Sequence, residues 1–195
     1  MSKPQSIDFG TTPWGRDWVK RVEPIRITTP NPLLPRARSL VRGGHAAVDV
    51  TTGKIAVLVT TSSKQHTVSV TAPKYTAAER KRVLRYLNEA GVASTASGDL
   101  PDALHATLHR EDLAPVPEST AALCTCVSKV SPCIHVTAAA YAVGVFIDGT
   151  PVKALMFRGV LVPTERAPGS GAQPGRWVSI TELDARSYFG VTDVR

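Results

Sequence analysis

Between residues 124 and 135 the chain reads CTCVSKVSPCIH, which gathers all three cysteines of the sequence and one of its five histidines into a single short stretch. The order is cysteine, one residue, cysteine, six residues, cysteine, one residue, histidine. Residues two apart on an extended strand point to the same face, so Cys124 and Cys126 are expected at the end of a strand or on a hairpin arm. Ser128 to Pro132 then supplies a turn, and Cys133 and His135 fall at the entry to a following helix. An odd number of cysteines, two of them too close for an ordinary disulfide, argues against an oxidised framework and for a reducing compartment.

Two tight pairs joined by a short turn suit zinc, which prefers four soft or borderline ligands in a tetrahedron, with sulfur at about 2.3 Å and imidazole nitrogen at about 2.0 to 2.1 Å. Cys124, Cys126, Cys133 and His135 are the expected ligands. Four protein ligands close the coordination shell, which points to a structural ion. The competing readings are three buried cysteines beside a capping histidine, and an iron–sulfur site, for which four cysteines are usual.

With 195 residues, 43% of them hydrophobic, the chain can bury a core without help from a metal, so the ion is expected to organise one region. Thr12 followed by Pro13 opens a helix running toward Glu23, with Trp14, Trp18 and Val22 on one face. Residues 24 to 38 hold four prolines and three arginines and read as an extended basic connector. Period-two runs of β-branched residues at His45 to Val50, Ile55 to Thr60 and His66 to Thr71 predict a three- or four-stranded antiparallel meander within residues 39 to 71. Thr76 caps a helix to about Asn88, with Val83, Leu84 and Leu87 inward and Gly91 as its stop. Asp99 or Pro101 opens a shorter helix carrying Leu104 and Leu108. Ile134 to Ile147 is apolar and alanine-rich, as a buried helix would be, ended by Asp148, Gly149 and Pro151. Residues 163 to 176 read as a flexible linker, and Trp177 to Tyr188 as a strand and a short helix that dock back. The fold class is therefore α+β, a small antiparallel β-meander with flanking helices and a Cys3His zinc finger followed by an apolar helix.

At this spacing, with a helix after the last ligand, the segment resembles a SWIM zinc finger. It is similar in particular to a bacterial SWIM-type family, through FGTTPWGRDWVKRVE (Phe9 to Glu23), the meander Val41 to Thr71, SGDLPDAL (Ser97 to Leu104) and FRGV (Phe157 to Val160). The resemblance spans roughly residues 8 to 160, with the finger at 123 to 147, a linker at 161 to 176 and a docking segment at 177 to 195. It implies zinc binding, interaction with DNA or protein, and association with a Swi/Snf-type helicase-like ATPase. Bacterial members often carry an aspartate and an aromatic shortly after the second cysteine and a lysine before the histidine. This chain has Val127, Ser128 and Ile134 there.

A balance of 23 basic to 16 acidic residues, net +7, favours a polyanionic partner. With no lysine beside His135, the grip on nucleic acid is expected at Arg36, Arg38 and Arg42 on the connector and first strand, and at Lys74, Arg80, Lys81, Arg82 and Arg85 on the helix after it. His105 and His109 lie on one helical face, spaced as a metal-binding pair would be, but no third ligand has convincing spacing and a solvated face is expected. No nucleophile elbow, phosphate loop or metalloprotease motif is present, so no enzyme is expected. Without a signal peptide or an apolar run of roughly 18 residues, a cytoplasmic protein with no membrane contact is expected. The expected function is a zinc-binding nucleic-acid (DNA) module or adaptor beside a larger DNA-processing machine. The alternative is a protein-interaction subunit with no nucleic-acid contact.

Overall fold

The computed structural model describes residues 7–23, 31–62, 64–92, 98–128 and 130–160. All of them belong to one compact unit, Met1–Glu165. The expected linker at 163 to 176 and the segment from Trp177 onward lie outside the described residues.

Helix α1 (Pro13–Lys20) begins where the sequence places it: the Thr12 hydroxyl accepts from the Gly15 amide at 3.2 Å, and Pro13 occupies a position whose N–H would have had no partner. It ends at Lys20, short of Glu23, but Trp14, Trp18 and Val22 are all buried together as expected.

The connector is corrected over residues 31 to 38, while residues 24 to 30 lie outside the described residues. Leu33–Arg42 forms helix α2, which carries Arg36, Arg38 and Arg42 on ten regular residues instead of an extended arm and a first strand. Pro32 is its N-cap and Pro35 its third residue, both within a first turn whose amides lack intrahelical acceptors, so neither proline removes a bond. The Asn31 side chain accepts from the Leu33 amide at 2.9 Å, and Ala37 and Val41 are buried.

Strands β1 (Ala46–Thr51), β2 (Lys54–Thr61) and β3 (Lys64–Thr71) make the expected antiparallel meander. Thr51 pairs with Lys54, leaving a two-residue turn in which Gly53 takes φ +82°, a left-handed conformation that glycine adopts without steric cost. On β2, Ile55, Val57 and Val59 are buried while Lys54 and Leu58 face out, so one side of the sheet carries the core.

Helices α3 (Ala77–Glu89) and α4 (Asp102–Arg110) follow. Thr76 and Glu79 form a reciprocal capping box at the start of α3. Val83 and Leu87 are buried, but Leu84, expected inward, is exposed, because it lies on the face of α3 turned from the core. The fourth strand, β4 (Ala121–Cys124), comes from well outside the meander and pairs antiparallel with β3, Val68 opposite Cys124 and Thr71 opposite Ala121. The sheet order is β1-β2-β3-β4.

Helix α5 (Ile134–Gly149) runs two residues beyond the expected end, and α6 (Val152–Phe157) adds a turn-rich finish that the sequence did not suggest. A helix apolar on every side must be covered on every side. Accordingly α5 touches all four strands as well as α1, α2 and α6. The FRGV phrase has a structural role: buried Arg158 lies 4.0 Å over the Tyr75 ring and donates to the carbonyls of Pro73 and Ala114. Among the described residues no helix is long and apolar enough to cross a membrane.

Candidate metal centre

Cys124 is the last residue of β4 and Cys126 lies just past it, while Cys133 is the N-cap of α5 and His135 sits in that helix's first turn. The sheet edge and the helix entry therefore each contribute one pair. One ligand atom from each of the four residues lies within 4.8 Å of all the others. The Cys133 sulfur is 3.9 Å from His135 Nδ1, and the Cys126 amide donates to the Cys124 sulfur at 3.4 Å.

The surroundings hold these pairs in place. Thr125, between the first two cysteines, is clamped to β3 in both directions: its amide donates to the Thr67 carbonyl at 3.1 Å, and its hydroxyl accepts from the Thr67 amide at 3.0 Å. The Cys133 carbonyl accepts from the Thr137 amide at 3.0 Å and from its hydroxyl at 3.1 Å, which locks the first turn of α5. His66 of β3, a residue without a sequence signal for this site, packs its ring against His135 at 4.2 Å between centroids.

The four groups sit in unequal electrostatic surroundings. Burial pushes the Cys124 thiol up to about 12, and the neighbouring thiols add to the rise. Cys126 is held below the ordinary thiol range, chiefly by a hydrogen bond from the Ser128 backbone. Burial, then the charges of His66 and Arg36, keep the His135 imidazole below the usual histidine range, so it is neutral near pH 7. Three crowded sulfurs and a neutral imidazole can enclose one metal ion and leave no position open for a substrate.

The expected nucleic-acid residues separate into two sets. Arg38 is bound inward, its guanidinium on Glu23 and, at 3.0 Å, on the Tyr141 hydroxyl, which also donates to Glu23. Arg42 is exposed but stacks over Phe9 and donates to the Ile7 carbonyl at 3.4 Å. Arg82 pairs with Glu111 at 2.9 Å, and Arg85 with Glu89 at 3.6 Å while lying over Tyr86. Arg36, Lys74, Arg80 and Lys81 are exposed, Arg36 close enough to the centre to act on His135.

The solvated reading holds for His109, which is exposed, and is corrected for His105. His105 is buried, and both rings reach Asp17 on α1, a residue more than 80 positions away that no local spacing could have signalled. Burial raises the Asp17 carboxyl, yet the hydrogen bonds from the two imidazoles outweigh it and hold the group below its ordinary value.

Comparison with known proteins found no matching family model, no matching curated protein and no matching solved structure.

Proposed function

We propose that Cys124, Cys126, Cys133 and His135 hold one structural zinc ion, and that the chain is a zinc-organised adaptor whose metal loop docks on a protein partner. Support for zinc comes from the donor set, three sulfurs and one imidazole, and from their clustering, all four ligand atoms lying within 4.8 Å of one another. The observation that carries the adaptor reading is apolar exposure at the loop: Leu123 is 75% exposed, Val127 99% and Val130 60%. These three stand on both sides of Cys124 and Cys126, on backbone that an ion would stiffen, and a fixed apolar crest is what a partner's groove takes up. The resemblance to SWIM-type fingers supports a partner from a DNA-processing machine with a Swi/Snf-type ATPase.

The test is zinc analysis of the purified chain together with purification from its native host. At least one zinc per chain is expected, held by the cysteine centre, with a specific partner that is lost in a Val127→Asp, Val130→Asp variant still loaded with zinc there. A partner retained by that variant overturns the docking role, and a chain free of zinc overturns the metal assignment.

A second reading, direct binding to DNA, is favoured by exposed Arg36, Lys74, Arg80 and Lys81 and by the net charge of +7. It calls for affinity that falls steeply with salt and drops when Arg36, Arg80 and Lys81 are neutralised together. Binding unchanged by those substitutions counts against it.

A further inference from the structure

Away from the cysteines, α1 and α4 bring together a second set of metal-ligating side chains. Asp17 Oδ2 lies 2.8 Å from His105 Nε2 and 2.7 Å from His109 Nε2, and the three donor atoms are mutually within 4.8 Å. The histidines are one helical turn apart, so α4 itself aims both rings at one point. Their centroids are 4.4 Å apart, and the inner ring of His105 is backed by the edge of Trp14 at 5.1 Å. The pair is thus walled on the core side. On the other side His109 is 41% exposed at its side chain and borders an open cavity, lined also by Lys20, Arg21, Val116 and Glu118.

Two imidazoles and one carboxylate on a common face, with the opposite face open, make up the ligand set that borderline divalent metals use when coordination positions are kept for water or an exogenous ligand. Size agrees as well. Metal bonds of about 2.0 to 2.2 Å place neighbouring donor atoms about 3.0 to 3.5 Å apart, so the Asp17 carboxylate and the imidazoles must draw apart by up to about 0.7 Å for an ion to enter. The exposed His109 has room to do so.

We propose that Asp17, His105 and His109 bind a second divalent transition-metal ion of the borderline class that includes zinc and cobalt, in a sulfur-free site with positions open to solvent. This site is independent of the cysteine centre in ligands and in place. It joins α1 to α4, where the cysteine centre joins β4 to α5.

Cobalt(II) is the probe, added under reducing conditions to the full chain after removal of metal. Two cobalt ions per chain are expected, only one of them producing thiolate-to-cobalt charge transfer. His109→Ala and Asp17→Asn should each lose one cobalt, or weaken it at least tenfold, while the charge-transfer band stays and reports an intact fold. Cys133→Ser should lose the band and keep the other ion. In the unsubstituted chain, zinc should also protect His109 from carbethoxylation, a readout that needs no variant. A single cobalt per chain, a second ion held equally well by both variants, or His109 reactivity unaffected by zinc overturns the proposal.

Discussion

Gly15 of α1 lies directly against Gly144 of α5. A Cβ on Gly15 would stand 2.5 Å from the Gly144 carbonyl oxygen and 2.3 Å from Asp148 Oδ1, and a Cβ on Gly144 would meet the Gly15 carbonyl at 3.2 Å. The approach lets Asp148 cap α1 from the neighbouring helix, accepting from the Thr12 amide at 2.8 Å and the Thr11 amide at 3.0 Å. Two helices far apart in sequence thus share one terminus.

On an exposed helix, glycine to alanine stabilises by up to about 1 kcal/mol through propensity. Here the sign reverses. Gly15→Ala must push backbone from backbone, and a loss of about 1 to 3 kcal/mol is expected, the range typical of overpacking. Urea denaturation of the variant and the parent measures it.

Acid should weaken the start of α3 in a defined window. The Thr76 amide and then its hydroxyl hold the Glu79 carboxyl below the ordinary glutamate range. The unfolded chain therefore binds the proton more readily, so the contribution is full above the ordinary range and disappears as pH falls through the lowered folded value. The stability gap between the parent and Glu79→Gln should be present near neutral pH and close in acid. Thr76→Ala, which removes the cap itself, should cost about 1 kcal/mol.

Removing the metal should be felt in α5 before the meander. Cys133→Ser, or chelation, is expected to release the ion of the cysteine centre and raise amide exchange in the first turns of α5 and in β4. The β1–β2 hairpin, held by its own pairing and by buried Ile55, Val57 and Val59, should keep its protection. Exchange read residue by residue checks the order.

Arg38 and Arg36 should behave differently although two residues apart. Arg38→Gln leaves Glu23 and the Tyr141 hydroxyl without their cation, and a loss of roughly 1 kcal/mol is expected for a pair that water partly reaches. Arg36→Gln should leave stability unchanged. Paired thermal melts separate the two.

The sequence by itself determined what depends on neighbours along the chain. Alternation of β-branched residues marked the first three strands, Thr12 and Thr76 marked helix starts, and the spacing of Cys124, Cys126, Cys133 and His135 marked a cluster able to hold a metal ion, because each of these signals is carried within a few residues. Tertiary structure decided what depends on partners far away. The prolines at 32 and 35 suggested a broken chain, yet α2 forms because both sit in its first turn and because it packs on α5 with Ala37 and Val41 buried. Ala121–Cys124 becomes a strand only because β3 offers it an edge. Arg38 turns from an expected phosphate contact into the partner of Glu23 and Tyr141, and His105 and His109 acquire Asp17 only when α1 crosses α4. In each case the deciding contact joins residues that no local periodicity relates, and burial of apolar faces in the shared core is what brings them together.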